Sequence, residues 1–127
     1  MTTVESQTEA TLALITRFEN GFNTRDIDAL MADMTEDTVF EHVAPEAVSF
    51  GRYEGQAPVR AVWESLEEHF PAFRFEFVDL FAAEDRGVCR WELTWRQPDG
   101  SNGLVRGVDI FRVRDGKIAE KLTYGTQ

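Results

Sequence analysis

One acidic residue of this sequence lies where an acid is unexpected. Asp109 falls within the stretch GVDIFRVRDGKIAEK, which reads as a strand, a tight turn and a second strand over residues 107–121. Its neighbours Val108, Ile110 and Phe111 are apolar, so a carboxylate there would lose much of its hydration. A protonated carboxyl in such surroundings can donate a hydrogen bond to a substrate oxygen, and an ionised one can remove a proton. Asp109 is therefore the first candidate for acid–base chemistry.

The strand that carries Asp109 is predicted to pair with the strand before it. If the loop over residues 97–103 is symmetrical, Asp109 lies opposite Trp91, and Trp95 lies opposite Val105. Side chains alternate between the two faces of a strand. The face that holds Asp109 then consists of Cys89, Trp91, Leu93, Trp95, Val105, Gly107, Asp109 and Phe111. This face is apolar and aromatic, with a single acid in it.

Two interpretations of Asp109 remain open at this point. Gly107 has no side chain, so it would leave open space beside the acid, as a small-molecule pocket requires. Alternatively, Asp109 is a structural acid that is satisfied by Arg90, by Arg106 or by a backbone amide.

The composition indicates a globular protein with one domain over residues 1–127. Hydrophobic residues make up 43% of the chain and aromatic residues 12%, which favours a packed core over a disordered segment. The formal net charge of −10 should repel DNA, RNA and anionic membrane surfaces. We therefore expect neither a nucleic-acid partner nor a membrane partner.

The chain shows no sign of a targeting segment or of a bound metal. The N-terminus MTTVESQTEA does not resemble a secretory signal, and no run approaches the roughly 18 apolar residues of a membrane span. Cys89 is the single cysteine, so an internal disulfide is excluded. His42 and His69 are too few for a typical metal site, and no phosphate loop or dinucleotide motif is present. We expect a cytoplasmic protein without metal or cofactor.

Three helices are predicted in the first part of the chain. The SQTE stretch at residues 6–9 fits a capping box with Ser6 as the N-cap of the first helix, and Asp26 can cap the second. Pro58 suits the first turn of the third helix, and Pro71 ends it. Apolar residues recur on one face of each helix. In chain order they are Leu14, Ile15, Phe18 and Phe22; Ile27, Leu30, Met31 and Met34; and Val59, Val62, Trp63, Leu66 and Phe70.

Period-two alternation and β-forming residues predict five strands. They span residues 38–43, 73–82, 88–96, 104–114 and 117–124. Asp115 and Gly116 predict a tight hairpin between the last two strands, and a loop with Pro45, Gly51 and Gly55 follows the first. Helices first and hairpins afterwards indicate an α+β fold, with the helices on one face of a curved sheet.

Together with this layout, the stretch RGVDIFRVRDGKIAEKLTYG at residues 106–125 resembles the SnoaL-like branch of the NTF2-like superfamily. That branch includes polyketide cyclases and is related to ketosteroid isomerases and scytalone dehydratase. The resemblance implies a cone, in which three N-terminal helices pack on a strongly curved antiparallel β-sheet that encloses a pocket. It also implies a small hydrophobic molecule as ligand, and a homodimer that forms through the outer face of the sheet.

The resemblance also assigns site residues. The segment VDIFRV matches the one that carries a protonated aspartate in ketosteroid isomerases, which places Asp109 there. The segment EDTVFEHV matches the one with the general base, and the equivalent position is His42. The helix segment RFENGFNTRDIDAL has Phe18 where the isomerases have a tyrosine, so Tyr53 and Tyr124 become candidates for the missing hydroxyl. Residues expected to bind the substrate are Phe18, Trp63, Trp91, Trp95 and Phe111.

These residues favour an enzyme that removes a proton next to a carbonyl, leading to cyclisation, isomerisation or dehydration of a polyketide-like or steroid-like compound. His42 would be the base, and Asp109 would orient it or polarise the substrate. Two alternatives stay open. One is a non-catalytic binding protein for a hydrophobic metabolite, and the other is a protein-interaction module of the NTF2 type, which would have a filled cavity.

Overall fold

The computed structural model describes residues 3–43 and 50–126, which form four helices and six strands. The helices are α1 (Val4–Thr24), α2 (Ile27–Ala32), α3 (Gln56–Glu64) and α4 (Leu66–His69). The strands are β1 (Met34–Val43), β2 (Phe50–Glu54), β3 (Arg74–Ala83), β4 (Arg86–Arg96), β5 (Asn102–Arg114) and β6 (Lys117–Thr126). None of the helices in these two ranges is both long and apolar enough to span a membrane.

The six strands form one sheet in the order β2-β1-β6-β5-β4-β3. The predicted α+β NTF2-like fold, with helices packed on a curved sheet, is confirmed. The sheet is mixed rather than wholly antiparallel, because β1 pairs with β6 in parallel. The chain runs through two helices and four strands between β1 and β6, so no hairpin forces these two strands to be antiparallel. The sheet does not close on itself, and β2 and β3 are its edges.

The ends of the helices differ in detail from those predicted. Thr3, and not Ser6, is the N-cap of α1, and Ser6 supplies the return bond of the capping box. Asp26 caps α2 as predicted, because its side chain accepts a hydrogen bond from the backbone N–H of Ala29. Met34 was predicted on the second helix but begins β1.

Two further differences concern the middle of the chain. The predicted third helix is divided at Ser65 into α3 and α4. Strand β2 lies where a loop was predicted, because it is the antiparallel partner of β1 and gains its hydrogen bonds from that strand. Of the residues of the predicted loop, Gly51 belongs to β2 and Gly55 directly follows it. Pro45 lies outside the described residues.

The register between β4 and β5 differs by two residues from the predicted one. Asp109 is opposite Cys89 and not Trp91, and Trp91 is opposite Gly107. The pairing ends at Arg96 and Asn102, so the connecting loop is shorter than predicted. A shift of two residues keeps each side chain on its face of the sheet. The predicted inner face is therefore confirmed, although the cross-strand partners are not.

The sequence predicted open space beside Asp109 at Gly107, and this prediction is wrong. A Cβ on Gly107 would lie 2.3 Å from a ring atom of Trp91, so this indole covers the glycine. Gly103 and Trp95 repeat the arrangement, with the same distance of 2.3 Å. The absence of two side chains on β5 therefore lets two tryptophans on β4 lie flat against the sheet.

Candidate functional site

A cavity of about 490 Å³ lies between the concave face of the sheet and helices α1, α3 and α4. Its wall is mainly apolar and aromatic, and the three tryptophans predicted to bind substrate, Trp63, Trp91 and Trp95, all contribute to it. The residues of the wall that carry polar side-chain groups include Glu19, His42, Tyr53, Ser65, His69, Asp109, Lys121 and Thr123. The volume falls in the range of small-molecule sites, which are commonly apolar with a few polar groups.

The two predicted catalytic residues lie on the same wall of this cavity. His42 on β1 is the cross-strand neighbour of Thr123 on β6, and Thr123 is the neighbour of Asp109 on β5. Adjacent strands are about 4.8 Å apart, so the backbones of His42 and Asp109 are separated by roughly 10 Å. Thr123 lies between them.

Asp109 is almost completely buried and has a buried cation as its partner. Its Oδ1 accepts a hydrogen bond of 2.7 Å from the Thr123 hydroxyl and lies 3.4 Å from the Lys121 Nζ. Lys121 also donates to the Thr123 hydroxyl at 3.0 Å. The side chains of Lys121 and Asp109 are only 6% and 3% exposed, so this ion pair is withdrawn from bulk water. The predicted arginine partners, Arg90 and Arg106, do not hold Asp109; both lie on strand positions that face away from it.

Aromatic rings surround the Lys121 ammonium. Its Nζ lies 4.8 Å from the ring centre of Phe40, 5.1 Å from that of Trp63 and 5.4 Å from that of Phe22. Ring faces attract a cation within about 6 Å, which compensates for part of the lost hydration. The ammonium is thus held by one carboxylate, one hydroxyl and three rings.

Glu19 on α1 adds a second carboxyl to this cluster. Burial raises its pKa well above the ordinary value, and the negative charge of Asp109 raises it further. Its Oε2 has no hydrogen-bond partner among the described residues. Burial also raises the pKa of the Cys89 thiol, and the acids Glu19 and Asp109 raise it further. We therefore treat Glu19 as a neutral acid and Cys89 as an unreactive thiol.

The His42 ring is half-buried in an aromatic stack. It lies parallel to Phe40 with ring centres 5.4 Å apart, and parallel to Tyr53 at 6.1 Å. Burial lowers the pKa of His42 below 6.5, and the nearby charge of Lys121 lowers it further. The imidazole is therefore neutral at physiological pH and can accept a proton.

The family of this chain follows from its match to a protein-family model. A model of the SnoaL-like domain matches residues 15–121. The chain belongs to the SnoaL-like domain family. No curated protein matches it.

Several solved structures share the fold of this SnoaL-like protein. An NTF2-like protein of unknown function from Mesorhizobium loti is 30% identical, with 95% of this chain and 94% of that chain covered and a TM-score of 0.77. A provisionally named SnoaL-like polyketide cyclase from Jannaschia sp. CCS1 is 20% identical, with 93% and 86% covered and a TM-score of 0.79. A provisionally named ketosteroid isomerase from Kribbella flavida is 21% identical, with 94% and 80% covered and a TM-score of 0.77. The last two similarities concern the fold alone.

Two of the residues expected to bind substrate do not line the cavity of this SnoaL-like protein. Phe18 and Phe111 are completely buried, and their rings pack edge to face in the core with centres 6.0 Å apart. They support the wall from behind, because α1 packs directly against the inner face of the sheet there. Tyr124, one of the two candidates for the missing hydroxyl, is exposed and alternates with the inward-facing Thr123.

Sequence reasoning missed three polar residues of the site. Lys121 and Thr123 are two residues apart on β6, so strand alternation could have placed them on one inward face. Glu19 follows Ile15 by four residues and therefore lies on the apolar stripe of α1. Each is a charged or polar residue on a buried face, which was the pattern that singled out Asp109.

The described residues hold no evident metal centre. Within residues 3–43 and 50–126, no three His, Cys, Asp or Glu side chains converge as a set of metal ligands.

Proposed function

We propose that this SnoaL-like protein is an enzyme that removes a proton from the carbon next to a carbonyl of a small hydrophobic molecule. One observation carries the proposal: a buried Lys121–Asp109 ion pair and a neutral imidazole line the same apolar cavity. Burying charges is unfavourable by several kcal/mol or more for each ion. Perturbed titratable groups in a cleft are characteristic of functional sites.

The proposed roles follow from the protonation states and the contacts. His42 accepts the proton from carbon, and the electron pair that is left moves to the carbonyl oxygen as an enolate. The Lys121 ammonium stabilises that oxygen, since its contacts with Asp109 and Thr123 leave one of its three N–H donors available. Asp109 positions Lys121 and Thr123. A charge fixed in advance in a site that excludes water stabilises a developing anion strongly.

Cyclisation, isomerisation and dehydration all begin with this proton transfer, so the cluster supports the class of reaction without selecting a member of it. The relatives named as a polyketide cyclase and a ketosteroid isomerase are consistent with this class. The apolar wall supports a hydrophobic substrate of small size.

A non-catalytic binding protein is the second candidate. It is favoured by the engagement of Asp109, whose Oδ1 already faces both Thr123 and Lys121. An interaction module of the NTF2 type is less well supported, because that alternative requires a filled cavity.

Exchange of a carbon-bound proton for deuterium tests the proposal without knowledge of the substrate. The probe is 2-tetralone, a bicyclic hydrophobic ketone, dissolved in D2O with the protein and followed by NMR. The protein should accelerate deuterium incorporation next to the carbonyl, and His42→Gln should reduce the acceleration by at least about a hundredfold.

The matched control is His69→Gln. His69 is the other histidine at the cavity, but its ring is exposed and its Nδ1 contacts the Ser65 carbonyl oxygen at 2.9 Å. This variant should retain the exchange rate. Binding of 2-tetralone without accelerated exchange would favour the non-catalytic candidate, and equal loss in both variants would contradict the assignment of the base.

A further inference from the structure

Two polar atoms converge on a glycine at the edge of the cavity. Gly51 on β2 is the cross-strand neighbour of His42 on β1. A Cβ on Gly51 would lie 2.8 Å from the Tyr53 hydroxyl and 3.1 Å from the His42 Nε2. The hydroxyl and the ring nitrogen are therefore no more than about 6 Å apart, so a single hydrogen-bonded atom can contact both.

Neither polar atom has a protein partner in the described part of the chain. The Tyr53 ring is held by its stacking on Phe40 and His42, at 6.1 Å in both cases, but its hydroxyl makes no hydrogen bond to residues 3–43 or 50–126. Both residues line the cavity. The hydroxyl is thus positioned by the ring stack and remains available to a ligand.

The order of the strands places this hydroxyl on the far side of His42 from the ion pair. Tyr53 is on β2, His42 is on β1, and Lys121 is on β6, which is the sequence of neighbours in the sheet. The imidazole therefore has a hydrogen-bonding group on each side, the ammonium on β6 and the phenol on β2.

We propose that Tyr53 binds a second oxygen atom of the ligand and makes the site selective for hydrophobic compounds with two oxygen substituents. The inference rests on the proposed function, in which Lys121 holds the first oxygen. Gly51 allows the Tyr53 ring to lie where it does, since any larger side chain at this position would collide with the Tyr53 hydroxyl and the His42 Nε2.

The test compares two rigid probes, naphthalene-1,3-diol and 2-naphthol, which differ by one hydroxyl. Their affinities are measured by isothermal titration calorimetry with the wild-type protein and with Tyr53→Phe. One uncharged hydrogen bond should make the diol bind about threefold to tenfold more tightly than 2-naphthol to the wild type. Tyr53→Phe keeps the ring stack and should abolish this advantage, whereas it should leave the affinity for 2-naphthol within twofold.

Tyr124→Phe is the matched control, because it removes an exposed phenol hydroxyl outside the cavity wall and should retain the advantage of the diol. Gly51→Ala should reduce the advantage by displacing the hydroxyl. An undiminished advantage in Tyr53→Phe would overturn the inference and leave the proposed function intact. If neither probe binds the wild type, the proposed hydrophobic ligand site itself fails, and the inference fails with it.

Discussion

At the level of single residues, the site depends on a lysine and an aspartate that are both buried away from bulk water. Counted over the whole residue, Lys121 is 5% exposed and Asp109 is 2% exposed. Each of the two is tolerable only in the presence of the other, because an unpaired charge in this environment has neither water nor a counter-charge. The intact pair is therefore expected to add little to the free energy of unfolding, whereas removing one of its partners should lower that free energy considerably.

Mutating one member should reveal this asymmetry. Lys121→Met is expected to reduce the free energy of unfolding by about 3–5 kcal/mol, since it leaves the Asp109 carboxylate buried without a counter-charge. The double variant Lys121→Met/Asp109→Asn should recover most of this loss. Urea unfolding measures the free energies of unfolding of the single and the double variant. A double variant that is as unstable as the sum of the single ones would contradict the coupling.

The protonation of His42 should respond to the same lysine. Burial is the first cause of its lowered pKa and the charge of Lys121 is the second. Lys121→Met should therefore raise the pKa towards 6.5, although burial still keeps it below that value. NMR titration of the His42 ring measures the midpoint, and an unchanged midpoint would exclude the electrostatic contribution.

The direction of the shift also fixes the pH dependence of the protein. If His42 is the base, as proposed, the rate of proton abstraction should be at its maximum at neutral pH and should decline as the pH falls through a pKa below 6.5. Since the unfolded chain binds this proton more readily than the folded one, the same group lowers stability as the pH falls below 6.5.

Glu19 should show the opposite behaviour. Its pKa is raised in the folded protein, so its contribution to stability is complete below pH 4.5 and is lost as the pH rises towards the folded pKa. Glu19→Gln, which stays neutral, should therefore gain stability relative to the wild type above pH 4.5, by up to about 1.4 kcal/mol per pH unit. Glu9→Gln is the control, because Glu9 is an exposed acid on the same helix. Parallel pH profiles of unfolding for Glu19→Gln and the wild type would show that Glu19 is ionised.

At the level of elements, the cavity wall is shaped by glycines on β5 that face tryptophans on β4. Trp91 covers Gly107 and Trp95 covers Gly103, each at 2.3 Å from the position of a Cβ. Contacts this short cannot exist, so any side chain at these positions must move the indole. The two glycines thus set the orientation of two aromatic walls of the cavity.

Substitution of one of these glycines should therefore be destabilising. Gly107→Ala is expected to reduce the free energy of unfolding by about 1–3 kcal/mol, because it forces Trp91 out of its packed position. Gly125→Ala is the matched control on β6, since a Cβ there would lie 3.4 Å from Val105, which is an ordinary contact. Thermal unfolding followed by tryptophan fluorescence distinguishes them, and equal stabilities would contradict the proposed packing.

At the level of the whole molecule, the outer face of the sheet carries an apolar strip. Val88, Ile110 and Leu122 are cross-strand neighbours on β4, β5 and β6, and Phe81 is the neighbour of Val88 on β3. Phe81 is 55% exposed, which is unusual for a ring of this size in a row of apolar residues. A homodimer through this face, which the family resemblance implied, would cover the strip.

Self-association through the strip can be tested directly. Ile110→Glu introduces a charge at its centre and should convert a dimer into a monomer in sedimentation velocity experiments, with an unchanged circular dichroism spectrum. Thr16→Glu, at an exposed position of α1 and away from the outer face of the sheet, is the control and should retain the mass of the wild type. A wild type that sediments as a monomer at micromolar concentration would remove the basis for the dimer.

Much of the fold was determined by local patterns in the sequence. Alternation along β4 and β5 placed Trp91 and Asp109 on one buried face. This assignment is correct although the predicted register was wrong by two residues, because the side-chain period of a strand is two. The turn at Asp115 and Gly116 was equally local, since both residues adopt the positive φ angles that this hairpin requires.

The composition of the site was decided by tertiary structure. The parallel pairing of β1 with β6 brings His42 beside Thr123, and no local signal specifies a contact between segments so far apart in the chain. Packing of α1 on the sheet likewise brings Glu19 to Asp109. Backbone geometry dictates which face a side chain occupies, but only the packing of the complete chain determines which distant residue it meets there. Asp109 could be found from its own neighbours, and alternation could have placed Lys121 on an inward face, but only the pairing of β5 with β6 shows that the two form an ion pair.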